Sequence, residues 1–158
     1  MTDTGKSELA LTSDKLAATH AVWRELAAGR IGPKRDEVTP AKLRGVTAYT
    51  FMVDVVDGDF RFRFAGDRVI QFMGSRLAGT FLSEYLGTPF FDGMKRFFVG
   101  CVAGKRPLAN GPRRATYPGK EHIEMEVLVL PLSDDGVHVT AIIGAFDTWA
   151  AGTHDSGR

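Results

Sequence analysis

The dipeptide Asp57-Gly58 constrains the fold more than any other part of the chain, because it separates two stretches in which apolar side chains recur at every second position. A two-residue hairpin turn of the favoured hand needs positive φ at both central residues, which Asp-Gly tolerates, so Ala48–Val56 and Asp59–Ala65 are expected to pair as antiparallel strands. In the second strand Phe60, Phe62 and Phe64 alternate with Arg61 and Arg63, and this period of two places the three rings on one face. Those rings belong to a wider excess of 11 Phe over 3 Tyr and 2 Trp, every Phe lying between Phe51 and Phe146.

Helical and strand patterns flank the hairpin. Ser13 is placed to N-cap a helix with Leu16, Val22, Trp23, Leu26 and Ala27 on one face, ended by Gly29. Thr39-Pro40 opens a short helix through Leu43. Glycines at 66, 74 and 79 imply short helical turns up to Leu86, and a longer helix from about Pro89 to Gly104 presents Phe90, Phe91, Met94, Phe97, Phe98, Cys101 and Val102. Two more strands, Lys120–Leu132 and Gly136–Phe146, are joined at Asp134-Asp135-Gly136, while 106–117 reads as a weak strand or a loop. Segregated strands joined by hairpins give an antiparallel α+β domain. The expected organisation is a disordered N-terminus over 1–12, a helix and connecting segment over 13–47, a core over 48–147 and a flexible tail over 148–158.

With 20 Lys plus Arg against 19 Asp plus Glu, the chain lacks the positive excess of a nucleic-acid binder, and the Phe residues near its basic stretch 93–120 sit at helix-core spacing rather than that of a stacking platform. The single Cys101 excludes an internal disulfide framework and any multi-cysteine metal site. No basic start with an apolar h-region opens the sequence, and no apolar run reaches membrane-spanning length, so a soluble cytoplasmic protein is expected.

Particular residues carry a family resemblance. Trp23-Arg24, the segment from Arg30 to Asp36, Arg61-Phe-Arg-Phe-Ala-Gly66, Gly74, Gly79 and the stretch from Glu126 to Leu132 resemble a family of short, stand-alone bacterial PAS-domain proteins, over roughly Leu16 to Asp147. The resemblance implies a five-stranded antiparallel sheet in the order 2-1-5-4-3 with helices on one face, and it makes the 106–117 segment the third strand. It implies a signalling sensor or interaction module, without catalysis, whose output runs through a separate protein. The expected ligand-binding residues are Tyr49, Phe51, Phe62, Phe64, Phe72, Phe81, Phe97, Cys101, Met125 and Val127, lining an inner cleft for a small apolar or aromatic ligand. Val53, Ile143 and Phe98 are expected beside them.

Cofactor and enzyme patterns are weak by comparison. Gly100–Lys105 is one residue short of a phosphate-binding loop, has Arg106 where Ser or Thr is required, and ends a helix rather than following a strand. His122-Ile-Glu124 resembles the start of a zinc deaminase motif but no Pro-Cys-x-x-Cys follows. His20, His122, His138 and His154 make no ligand pattern, which disfavours haem, and Cys101 lacks the Asn-Cys-Arg context of flavin photosensors. No cofactor is required. The alternative class, a cone-shaped isomerase or dehydratase, needs an inward-pointing His or carboxylate, whereas Asp54, Glu124, Glu126 and His138 all read as outward.

The outward face is itself half apolar, since Met52, Val56, Leu128 and Leu130 share it with Asp54, Glu124 and Glu126. It requires cover from the leading helix through Trp23 and Leu26, either within one subunit or in a homodimer. Glu124 and Glu126 are expected on a solvated strand, within reach of Arg113, Arg114 or His138. From Gly93 to Lys120 there is no acidic residue and seven basic ones: Lys95, Arg96, Lys105, Arg106, Arg113, Arg114 and Lys120. Such a stretch is a solvated surface balanced elsewhere or an attractor for an anion.

Overall fold

A computed structural model describes residues 9–151. Strands β1 (Thr50–Val56), β2 (Asp59–Ala65), β3 (Leu108–Arg114), β4 (Ile123–Leu132) and β5 (Ala141–Ala150) form one antiparallel sheet in the order β2-β1-β5-β4-β3. The fold is α+β, in the strand order that the resemblance implies. Asp57 (φ 51) and Gly58 (φ 81) close the β1–β2 hairpin with the positive φ values that the turn demands. Among the described residues three α-helices accompany the sheet: α1 (Asp14–Ala27), α2 (Asp67–Met73) and α3 (Pro89–Gly104). Ser13 caps α1 by accepting from the Leu16 N–H, and Thr88 caps α3 ahead of Pro89. No described helix is long and apolar enough to cross a membrane.

The sheet is buried on both sides. Its inner face (Phe51, Val53, Phe60, Phe62, Val129, Ile142) packs against Val69 and Phe72 of α2 and Phe98 and Cys101 of α3. The rings interlock, with Phe60 and Phe98 edge to face at 5.1 Å and Phe51 6.0 Å from both Phe62 and Phe98. On the outer face, Met52, Leu128, Leu130, Leu132 and Ile143 pack under Leu16 of α1, with Leu9, Leu11 and Trp23 at the margin. Leu16 is 0% exposed, and burial of a leucine side chain stabilises by about 1.5–3 kcal/mol. The cover that the apolar outer face requires is therefore supplied by the chain's own helix. Trp23 is half-buried there, whereas Leu26 and Val56 are half-buried outside both clusters.

Several expectations change on contact with this arrangement. Phe64 lies on the outer face, not the inner, because a bulge pairs Met52 with Phe64 and then Val53 with Phe62, setting two residues of β2 against one of β1. Ile143 is also outer: it pairs with Met52 and Leu130, and its neighbour Ile142 faces inward with Val53. The short helix expected after Pro40 is a run of turns ending in a 3-10 turn at Thr47–Tyr49. Ahead of residue 13, Leu9 and Leu11 pack on the outer cluster and the Thr12 N–H donates to Glu126. At the other end, β5 extends to Ala150, beyond the expected start of the tail. The rest of both expected terminal segments, residues 1–8 and 152–158, lies outside the described residues.

Candidate functional site

A cleft of about 510 Å³ opens between α3 and strands β3 and β4, over the inner face of the sheet. Phe90, Met94, Phe97 and Phe98 of α3 form one wall, and Phe51, Met125, Val127 and Phe146 of the sheet form the floor. The helix supplies its wall because Phe90, Met94, Phe97 and Phe98 recur four, three and one residues apart on its sheet-facing side. Its size falls within the range of small-molecule sites, about 300–1,000 Å³.

Of the ten residues expected to line such a cleft, four do: Phe51, Phe97, Met125 and Val127. Phe62, Phe72 and Cys101 are buried in the inner core and do not line it. Phe64 faces the opposite side of the sheet. Tyr49 belongs to the 3-10 turn before β1 and lies beneath two cations, Lys15 at 5.5 Å and Arg68 at 4.9 Å from its ring centre. Phe81 is half-buried outside the sheet, where it caps the 3-10 turn Leu82–Tyr85 and bridges to Arg61.

The polar part of the lining went unassigned to the cleft in the sequence. Arg96 of α3, Arg113 and Arg114 of β3, Asn110 and Thr116 stand around it. The three arginines belong to the acid-free stretch from Gly93 to Lys120, so charge composition marked the segment. The placement was hidden, because β3 is an edge strand whose pairing with β4 is irregular between Asn110 and Arg113. Among the described residues, none that lines the cleft is a histidine or a carboxylate. Burial pushes the Cys101 thiol up to about 12, so it carries no thiolate at neutral pH. His122 and His138 are exposed, and the His138 ring pairs with Asp135 at 2.8 Å in its own loop.

Behind the floor of the cleft, the same strands hold the N-terminal segment. Glu126, between the cleft residues Met125 and Val127, points to the other face and is 1% exposed. It is neither solvated nor paired with arginine, as the strand pattern suggested; its carboxylate accepts from the backbone N–H groups of Thr12 (2.8 Å) and Ser13 (2.7 Å). Ser13 Oγ donates to Asp147 at 2.7 Å, so two carboxylates of the sheet meet the start of α1, where negative charge is favoured. Trp23 Nε1 donates to the Pro131 carbonyl at 2.7 Å. His20 is buried on the same helix and stacked on Trp23, and burial together with Arg24 holds its pKa below the ordinary value.

A second joint ties the connecting segment to the sheet. Asp54 accepts from Arg35 at 2.8 Å and from Arg61 and Arg63 at 3.3 Å each, and Arg35 also grips Asp134 at 2.6 Å. Burial would raise the Asp54 pKa, but hydrogen bonds from Arg35 and Arg63 and the charge of Arg63 outweigh it and hold the carboxyl below its ordinary value. Gly32 and Gly66 complete the joint: a Cβ at Gly32 would collide with the Pro131 carbonyl, and one at Gly66 with the backbone of Thr47 and Ala48. Asp54 is thus outward-facing, as the alternation implied, yet 2% exposed.

The arrangement has a cleft on one side of a sheet and a docked N-terminal segment on the other, with β4 common to both. No curated protein matches the chain. Residues 11–147 match a family model described as PAS domain, which covers the sheet, the helical middle and the docked helix alike. The chain belongs to the PAS domain family, whose members are in general sensory and interaction modules.

Proposed function

We propose that the chain is a signalling sensor whose inner cleft takes a small ligand with an apolar or aromatic body, and whose output is a change in the docking of α1. One observation carries this reading. Met125 and Val127 line the cleft, while Glu126 between them holds the backbone of Thr12 and Ser13. Successive side chains of a strand point to opposite faces, so a shift of β4 under a ligand is felt at once by the N-terminal segment. An environment-sensitive neutral dye, Nile red, is the probe. It is expected to bind the wild-type protein with enhanced fluorescence and to bind Val127→Trp, in which the floor is filled, at least tenfold more weakly. Dye binding is also expected to change hydrogen exchange over residues 12–27. Equal binding to the filled variant, or unaltered exchange in that segment, sinks the reading.

A second reading, a module that acts through protein contacts without a ligand, draws support from a groove of about 810 Å³ on the outer side. Val38, Leu43, Met52 and Phe64 form its apolar part, and Lys34, Arg35 and Arg63 border it. A homodimer built on the outer face would use this groove, since Leu128 and Leu130 are already covered by α1. Sedimentation of the wild type and of Phe64→Asp separates the readings: a dimer that the substitution dissociates favours contacts, and a monomer in both leaves the cleft as the working site.

A further inference from the structure

We infer that the cleft is built for an organic anion, a carboxylate headed by an apolar chain or ring, with Arg96, Arg113 and Arg114 receiving the charged end. The inference rests on the cleft being a ligand site and adds the class of ligand. Its first support is segregation within the lining. The floor and one wall are apolar, through residues such as Phe51, Phe97 and Met125, whereas the charged side chains of the lining are all cationic. A neutral apolar ligand would need none of them, and a cationic ligand would be repelled by all three.

Contrast with the arginines that fasten the fold is the second support; Arg24, Arg44, Arg68, Arg76 and Arg106 are, like those of the cleft, outside any ion pair among the described residues. Arg30, Arg35, Arg61 and Arg63 each have a carboxylate within 3.3 Å. Among the described residues no ion pair involves Arg96, Arg113 or Arg114, although the chain carries almost as many acidic as basic residues. Their own segment, from Gly93 to Lys120, has no acid to offer. Three arginines in the lining of one cleft, none of them in an ion pair among the described residues, raise the local concentration of anions, and the planar fork of arginine matches a carboxylate with paired hydrogen bonds. Asn110 and Thr116 beside them add groups able to orient the same headgroup.

Displacement of Nile red by three ligands that share a ten-carbon chain tests the charge preference: decanoate, decanol and decyltrimethylammonium, at neutral pH and low salt. Decanoate is expected to displace the dye at roughly tenfold lower concentration than decanol, a ratio suited to exposed arginines in partial contact with water, with the ammonium weakest. The advantage should shrink at high salt. It should also fall to near parity in the double variant R113Q/R114Q and persist in R44Q, which removes the same kind of charge elsewhere. Because Arg113 and Arg114 are exposed on an edge strand, thermal unfolding of the double variant should stay close to wild type, and R96Q provides an independent second test from the helix side. Equal displacement by decanoate and decanol, or an advantage that survives both arginine variants, overturns the anion inference and leaves the ligand cleft standing. Failure of Nile red to bind the cleft at all overturns both.

Discussion

Asp54→Asn is the substitution whose consequences the structure defines most sharply. The carboxylate is 2% exposed and faces three guanidinium groups, from Arg35 at 2.8 Å and from Arg61 and Arg63 at 3.3 Å. Asparagine keeps the shape and removes the charge. Arg35 retains Asp134, but Arg61 and Arg63 then face each other across a neutral amide. Breaking a fully buried ion pair by deleting one partner costs about 3–5 kcal/mol. Here the arginine side chains are 35–50% exposed, so water screens what remains, and the expected loss falls to about 2–3 kcal/mol. For a chain of this size that corresponds to roughly 4–12 °C in Tm.

The pH dependence supplies a second, independent reading. The native pKa of Asp54 lies below its unfolded value of about 3.9, so its contribution is complete above that value and fades as pH falls through it towards the native pKa. Asp134 behaves in the same direction, through the Arg35 backbone N–H and guanidinium, and it keeps titrating in the variant. Urea unfolding followed by circular dichroism should therefore show a gap between wild type and Asp54→Asn that is constant near neutrality and narrows below about pH 4. Arg61→Gln should lose less than about 1 kcal/mol, since Asp54 keeps Arg35 and Arg63. A neutral-pH gap under about 0.5 kcal/mol for Asp54→Asn, within the range of ordinary surface changes, would refute the cluster as a joint. So would a gap that does not narrow in acid.

Glu126→Gln should weaken the attachment of α1 by about 1.5–3 kcal/mol, because one charge-assisted acceptor of two backbone N–H groups becomes a single neutral carbonyl. Faster hydrogen exchange confined to the start of α1, with β1 and β5 unchanged, is the expected signature. Gly144→Ala places a Cβ within the ring of Phe51, and overpacking of this kind costs about 1–3 kcal/mol. The melting temperature should fall accordingly, and the double variant with Phe51→Leu should recover part of it, whereas strict additivity would refute the contact.

The hairpin, the α3 boundaries and the α+β class were legible because each rests on local chemistry: positive φ at Asp57-Gly58, a Thr88-Pro89 start, and apolar periods of two or 3.6. Strand order was carried by the family resemblance, since nothing local tells β1 to lie between β2 and β5. Phe64 shows where alternation fails. Its sequence pattern with Phe60 and Phe62 is unbroken, yet the bulge is a property of pairing with Met52 and turns the ring to the other face. Glu126 shows a different blindness. A glutamate alternating with apolar residues reads as solvated, and only the return of residues 12 and 13 across the sheet, more than a hundred positions away, converts it into a buried acceptor. The cleft was half legible for the same reason: aromatic residues announce burial, but β3, with Asn110, Gly111 and Pro112 in its middle, has no period to show which side Arg113 and Arg114 serve.

Of the residues that carried the family resemblance, one, Val127, lines the cleft. Trp23 donates to Pro131, Gly32 makes room for that same carbonyl, and Arg35, Arg61 and Arg63 converge on Asp54. These contacts demand particular atoms: an indole N–H, an absent Cβ, a carboxylate set among guanidinium groups. An apolar cleft makes no such demand, because volume-conserving exchanges among Phe, Met, Val and Leu leave a floor of similar shape at small cost. Recognition of the family from sequence is thus recognition of how the N-terminal segment is fastened to the sheet. On the proposed reading, the class of ligand is set by a few groups that the fastening does not restrain, above all the exposed arginines of the cleft lining. If the cleft is a ligand site, its lining can change without disturbing how α1 is held, since Met125 and Val127 face the cleft and Glu126 holds the N-terminal segment.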